Sequence, residues 1–395
     1  MEDWIRPRTK EILSLVSQEH PLIHAMIGPR QVGKSTASRQ IAKSLGWDVV
    51  MESADSPVAL GAEWIRVHWD RAVAMARKGG PCLLVLDEIQ KVPGWSEALK
   101  LLWDARGALR IQVLVLGSSA MHVQSGLSES LAGRFLLHRY GHWSFVEMQE
   151  AFALTFDDWL FFGGYPGAVR LARREGLWRS YIRDSLAETA VARDVLQMQA
   201  IRKPTLLRNL FALACLHPAE CLSYNKMLGA LQDAGNTVTL AHYLHLLQSA
   251  WLVAGLEAWR PGIQSPRGSS PKLVVLNNAL ASAMSGRTRD AIDKDRIWSG
   301  RMTENAIAAY LFQVLEGTGA ELFWWRDGSL EVDLVVRSPK GLWAIEIKSG
   351  KPENPAGLRE FMKRWPQSVP MMIGPGGVPF EEFLREDVRE RFGVD

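Results

Sequence analysis

Residues 22–36 read Leu22-Ile23-His24-Ala25-Met26-Ile27-Gly28-Pro29-Arg30-Gln31-Val32-Gly33-Lys34-Ser35-Thr36. An apolar run of strand length enters a loop that satisfies G-x-x-x-x-G-K-[ST], and a helical pattern over Ser35–Leu45 follows. Phosphate binding requires that order. Glycine lets the backbone curl until its N–H groups point inward, and the helix N-terminus adds the positive end of its dipole. Gly28, Pro29, Arg30, Gln31, Val32, Gly33, Lys34, Ser35 and Thr36 are therefore the expected triphosphate-binding residues. Lys34 is expected to reach the β- and γ-phosphates, and the Ser35 hydroxyl to ligate Mg²⁺.

A second motif lies downstream. Cys82-Leu83-Leu84-Val85-Leu86 reads as a buried strand that ends in Asp87-Glu88, and open α/β sheets gather their ligands at such strand ends. Asp87 is expected to hold Mg²⁺ through water, and Glu88 to polarise the attacking water as general base. Further candidate strands are Val49–Glu52, Ile111–Leu116 and Phe135–Tyr140, with a helix at Ala62–Arg77. Alternating strands and helices predict a parallel sheet covered on both faces. The run Ile111–Leu116 ends in Gly117-Ser118-Ser119, where Ser118, or else Ser119, is placed to orient the lytic water.

Composition bounds the rest. The chain has 395 residues, 47% apolar and 23% charged, as in globular proteins, with length for two or three domains. A formal charge of +3 neither demands nor excludes nucleic acid, since a DNA-binding surface is local. Cys82, Cys215 and Cys221 show no metal spacing and suggest a reduced, cytoplasmic protein. The amino terminus lacks the apolar core of a signal peptide, and no apolar run reaches the length of a membrane span. The sixteen tryptophans are scattered and read as core and domain-contact residues.

From Phe145 to Arg202 the pattern turns helical, interrupted by Gly163-Gly164-Tyr165-Pro166. Residues 203–262 read as short helices. Ser223–Leu231, the turn Ala234-Gly235-Asn236, and a helix over Thr237–Ser249 capped by Thr237 precede the apolar run Trp251–Leu256. A loop rich in Pro, Gly and Ser follows. This is the order of a winged helix, whose second helix can enter a major groove or meet a protein. His242 and His245 have no Cys or acidic companion, so a metal site is not expected there. Beyond Trp298 come a helix over Thr303–Glu316 and strands at Leu322–Trp325, Glu331–Val336 and Leu342–Lys348.

With these residues in hand, the chain resembles the bacterial and archaeal AAA+ ATPases that carry a C-terminal DUF4143-type domain. The matching blocks are Gly28–Thr36, Leu86–Gln90, Trp95, Gly117–Ser119, Ser130–Arg134, Ser144–Glu147, Gly163–Pro166, Arg193-Asp194, Glu304-Asn305, Glu331–Asp333 and Ile345–Lys348. His142-Trp143 departs from the usual Pro-Leu of the family and reads as structural. The resemblance implies a catalytic set of Lys34, Glu88, Ser118 and Arg134, the last as an arginine finger for a neighbour's site. Gly163–Pro166 is similar to the turn that brings lid helices over adenine, with Arg183 or Arg193 as sensor. Glu304, Asp333, Glu346 and Lys348 resemble a PD-(D/E)xK nuclease constellation, with the acids on a divalent cation and Lys348 as catalytic partner.

The expected fold class is α/β: a P-loop parallel-sheet AAA+ core over residues 1–144, a helical lid over 145–202, a winged-helix module over 203–272, and a restriction-endonuclease-like α/β domain over 273–395. The expected function is Mg-dependent ATP binding and hydrolysis in a homo-oligomer, coupled to duplex or branched DNA. An ATP-driven switch acting through protein contacts and an ATP-gated DNA nuclease are the alternatives.

Overall fold

The computed structural model describes residues 4–118, 127, 130–196, 201–231, 236–262, 270–350 and 355–394. Ser119, the Ala234-Gly235 turn and most of the 261–271 loop lie outside the described residues. Two compact units divide the chain, residues 1–141 and 142–395.

In the first unit, α1 (Pro7–Val16) precedes β1 (Ile23–Ile27), α2 (Lys34–Leu45), β2 (Asp48–Ser53), α3 (Ala62–Ala76), β3 (Cys82–Asp87), α4 (Trp95–Asp104), β4 (Ile111–Gly117) and β5 (Phe135–Arg139). The strands form a parallel sheet in the order β2-β3-β4-β1-β5. Boundaries fall within a residue or two of those expected. Burial follows position in the sheet. All of β1 and β4 and the apolar part of β3 are buried, as in central strands covered on both faces, while β2 and β5 at the edges are mostly half-buried or exposed. Ile23, Ala25 and Ile27 turn to one face and pack with Leu84, Leu86, Val113, Trp69 and Leu99. His24 turns to the opposite side of the strand, where its Nδ1 lies 2.9 Å from Nε2 of His138 on β5 and the two rings stack.

The second unit contains α5 (Phe145–Phe152), α6 (Phe156–Phe162), α7 (Glu175–Ser180), α8 (Pro204–Leu216), α9 (Tyr224–Leu231), α10 (Thr237–Ser249), β6 (Val253–Leu256), β7 (Lys272–Val275), α11 (Asn278–Ser285), α12 (Arg289–Lys294) and α13 (Arg296–Leu315). β8 (Glu321–Asp327), β9 (Leu330–Ser338), β10 (Gly341–Ile347), α14 (Ala356–Arg364), β11 (Val369–Ile373), α15 (Phe380–Arg385) and α16 (Val388–Phe392) complete it. β6 and β7 make an antiparallel ribbon, and the last four strands form a mixed sheet ordered β11-β10-β9-β8. One apolar core joins Phe145, Trp159, Leu256, Val274, Ile307, Leu311, Leu334 and Ile345. Trp259, Trp325, Leu342, Phe361 and Val335 build a second core, Leu334 and Val335 turning to opposite sides of β9.

Two local expectations shift. α10 is capped by Asn236, whose Oδ1 accepts the Thr239 amide at 2.7 Å, so Thr237 is already the first helical residue. α13 begins at Arg296, where Asp295 accepts the Ile297 and Trp298 amides, seven residues before the predicted Thr303. An Asp cap at low apolar periodicity hides such a start from pattern reading.

His142 sits in a buried knot. Its ring meets the Trp251 carbonyl at 3.1 Å, Asn277 Nδ2 at 3.0 Å and the edge of Tyr165. Gly163 and Gly164 pack so closely on Asn277 and the Trp143 carbonyl that a Cβ at either would collide.

The histidine pair carries a pH prediction. Burial lowers His24 to about 4, and burial together with the His24 charge lowers His138 to about 3. Both are thus neutral in the fold and take up protons on unfolding below pH 6.5. Stability present above 6.5 falls as the pH drops through the window down to about 4, by up to about 2 kcal/mol per histidine at pH 5. Melting curves of wild type and the His24→Asn, His138→Gln double variant from pH 7.5 to 5 should show a markedly smaller acid loss in the variant.

Candidate functional site

The loop after β1 is shaped by its backbone. Gly33 has φ 92° and Gln31 φ 61°, both in the left-handed region, which Gly accepts freely. Gly28 lies so near the Tyr140 carbonyl that a Cβ would fall 2.0 Å from its oxygen. Tyr140 also donates its amide to the Ile27 carbonyl at 2.7 Å, which ties the end of β5 to the mouth of the loop. Val32 is fully buried beneath the turn, whereas Arg30 is half-buried and Gln31 and Thr36 are exposed.

Inside this curl Lys34 is buried, and its Nζ donates to the Gly28 carbonyl at 2.8 Å and the Pro29 carbonyl at 2.7 Å. Ser35 Oγ donates to Asp87 Oδ2 at 2.7 Å, so the loop hydroxyl and the strand-end carboxylate share one place. Asp87 Oδ1 accepts the Glu88 amide at 2.9 Å. Glu88 has φ 53°, a strained conformation for a non-glycine residue, and its Oε2 accepts from Gln90 Nε2 at 2.7 Å. Ser118 is buried at the end of β4, between β3 and β1 in the sheet. Lys34, Ser35, Asp87 and Glu88 therefore converge at the carboxyl ends of the central strands, where open α/β sheets form their ligand-binding crevice.

Arg134 is elsewhere. Its carbonyl accepts the Ile23 amide, so it stands at the amino end of β5, about 15 Å along the strands from the loop. Its guanidinium forms a two-point pair with Asp104, Nε to Oδ1 at 2.8 Å and Nη2 to Oδ2 at 3.1 Å. It belongs to the opposite end of its own sheet. Three residues to which sequence reading gave no role lie around the loop and the β3 end. Gln90 is one. Arg6 is buried, stacks on Tyr140 at 4.3 Å and donates to the Gly141 carbonyl at 3.2 Å, while Thr9 meets the Tyr140 hydroxyl at 2.8 Å. The signal for Gln90 was its two-residue spacing from Glu88; Arg6 and Thr9 carry no local signal.

Family models tile the chain. An AAA domain matches residues 20–149, a domain of unknown function (DUF8612) residues 153–291, and DUF4143 residues 299–376. The chain is a P-loop ATPase with a C-terminal DUF4143 domain. Uncharacterised proteins of Mycobacterium tuberculosis and Mycobacterium bovis are each 28% identical to the ATPase over 339 residues, 82% of this chain and 69% of theirs. The Walker-type ATPase of Pyrococcus abyssi shares the fold with a TM-score of 0.50 at 14% identity, over 72% of this chain and 97% of that one. No described helix of the ATPase is long and apolar enough to cross a membrane.

The C-terminal unit of the ATPase holds a second polar site, a cavity of about 550 Å³ lined by Glu220, Arg301, Glu304, Arg326, Glu331, Asp333, Glu346 and Lys348. Glu304 comes from α13, Asp333 from β9, and Glu346 from β10, with Lys348 just beyond. The structure thus brings together all four residues of the nuclease-like set. Asp333 Oδ2 accepts the Ile347 amide at 2.7 Å, and Lys348 Nζ pairs with Glu346 Oε1 at 2.5 Å. Glu346 is buried, and its Oε2 has no partner among the described residues. Burial, with the Asp333 charge beside it, pushes Glu346 up to about 7.

Lys272 on β7 was not foreseen. Its side chain is 1% exposed, and its Nζ donates to Glu304 Oε1, to the Asp333 carbonyl at 3.1 Å and to Glu331 Oε1 at 3.1 Å. Burial pulls the ammonium down, but the charges of Glu304, Asp333 and Glu331 outweigh it and leave Lys272 raised. Glu304, Glu331 and Asp333 are the described acids close enough together to share a metal ion. A divalent cation does not fit them as they stand, because Lys272 already draws on two of the three carboxylates, Glu304 and Glu331, and on the Asp333 main-chain carbonyl. Charges of +1 and +2 held about 4 Å apart repel by on the order of 8 kcal/mol at an effective dielectric of about 20.

Gln90 yields a prediction. Its amide aims the Glu88 carboxylate, so Gln90→Ala should lower kcat for ATP about tenfold while KM stays within about twofold. Steady-state ATPase kinetics check it; a raised KM at constant kcat would assign Gln90 to nucleotide binding instead.

Proposed function

We propose that the ATPase hydrolyses Mg·ATP at the convergence of Lys34, Ser35, Asp87 and Glu88, and that turnover drives a change in a bound macromolecule. The observation that carries this reading is the 2.7 Å contact between Ser35 Oγ and Asp87 Oδ2, which joins the two motifs. Two hard oxygen donors at that spacing suit Mg²⁺, which when bound neutralises phosphate charge. Lys34 exchanges its two loop carbonyls for β- and γ-phosphate oxygens, and the loop amides and the amino end of α2 hold the remaining charge. Glu88 accepts the proton of the attacking water, with Ser118 beside it on β4 as a second polar contact for that water.

Arg134 cannot serve its own site from the amino end of β5, so a catalytic role for it requires a neighbouring subunit. That is the form in which the homo-oligomer reading is retained. The succession of α9, α10 and the β6–β7 ribbon supports DNA coupling through a winged-helix-like module. A different observation favours the switch acting through protein contacts. Val238, His242 and His245 on the outer side of α10 line a cavity of about 960 Å³ together with Glu257, Glu316 and Glu321, and carboxylates repel a phosphate backbone.

Lys34→Ala should abolish ATP retention, and Glu88→Gln should retain ATP while turnover falls at least about 100-fold. Equilibrium binding of a fluorescent ATP analogue and phosphate release separate the two effects; normal turnover in either variant removes the proposed site. For the partner, phosphate release is measured without DNA and with single-stranded, duplex and branched DNA. Stimulation by one form, lost in Arg134→Ala, supports the DNA-coupled oligomer. Unchanged rates with every DNA, and normal turnover of Arg134→Ala, leave the switch.

A further inference from the structure

The ammonium of Lys272 meets Glu304, Glu331 and the Asp333 carbonyl at once, with its side chain closed off from solvent. We propose that Lys272 is the resident cation of the acid cluster that lines the C-terminal cavity, neutralising it in place of a divalent metal, so that this site is held together without metal. The inference is independent of the ATPase reading, since none of these residues belongs to the first unit.

Charge arithmetic supports it. Glu304, Glu331, Asp333 and Glu346 bring four carboxylates; Lys348 pairs with Glu346 and Arg326 with Glu331, while Arg301 is engaged by Glu220. Without Lys272 the cluster would carry two uncompensated negative charges, the number a divalent ion neutralises. With Lys272 one remains, beside the buried Oε2 of Glu346, which has no partner among the described residues. A divalent ion added on top would reverse the sign of the cluster.

The position of Lys272 is also built rather than incidental. Asn305, next to Glu304 on α13, accepts the Val275 amide at 2.8 Å and donates to the Val275 carbonyl at 2.8 Å. That clamp fixes the register of α13 against β7, and so holds Glu304 over Lys272. On its other side β7 is paired with β6, Leu256 opposite Lys272, and the lysine side chain is 1% exposed.

The test uses nucleotide-free full-length protein titrated with Mn²⁺, followed by electron paramagnetic resonance, with melting curves in EDTA and in Mn²⁺. Wild type and Lys272→Arg should show no saturable Mn²⁺ site that Asp333→Asn removes, and Asp333→Asn should not change how their melting temperatures respond to Mn²⁺. Lys272→Met should melt lower in EDTA, recover in Mn²⁺, and bind Mn²⁺ at least about tenfold more tightly than wild type. Adding Asp333→Asn should abolish that gain. A saturable wild-type Mn²⁺ site that Asp333→Asn or Glu346→Gln removes would overturn the proposal, and that measurement needs no Lys272 variant to fold. A folded Lys272→Met protein that gains no Mn²⁺ binding overturns it too.

Discussion

A buried ammonium must be solvated by something, and the structure of the nucleotide loop follows from how Lys34 is solvated. Its ammonium donates to two carbonyl oxygens of the loop itself, Gly28 and Pro29. Carbonyl dipoles satisfy these donors without a covalent or charged commitment, so phosphate oxygens can take their place. Turning those carbonyls inward requires the left-handed backbone at Gln31 and Gly33 and the close approach of Gly28 to Tyr140. The chain accepts this because β1 is a central strand, buried on both faces and locked between β4 and β5. The sheet supplies the rigidity that the loop spends in its geometry.

The second unit solves the same problem in the opposite way. Lys272 is solvated by carboxylates, which cancel its charge as well as accepting its protons. Such an arrangement stabilises what is already there and gives an external ion little to gain. Lys34 donates to loop carbonyls that a phosphate can replace, whereas Lys272 is fixed by carboxylates of its own fold. One site invites a polyanion. The other is closed on itself, and its geometry, though nuclease-like in the placing of Asp333, Glu346 and Lys348, is not evidence of cleavage.

Arg134 shows how a residue can be correctly read as charged and poised while its place decides what it does. Its exposed two-point pair with Asp104 lies at the far end of the strands from Lys34. Within one chain it is an ion pair. Any other role has to come from assembly.

Much was legible before any coordinates. The β1 loop, the β3 carboxylates and the alternation of strands and helices are local patterns, set by residue type at short spacing, and they located Lys34, Ser35, Asp87 and Glu88 within one crevice. Glu346 and Lys348 were also legible as sharing a face of one strand, and the family resemblance added Glu304 and Asp333 to them. What only the tertiary structure decided were contacts made across long separations. Lys272 reaches Glu304 from 32 residues away and Asp333 from 61, His24 meets His138 from 114, and Thr9 meets Tyr140 from 131. A lysine flanked by proline and apolar residues reads as an unremarked strand end. Its meaning depends on which carboxylates close around it, and electrostatic partnership is set by distance in space, which spacing along a chain does not encode.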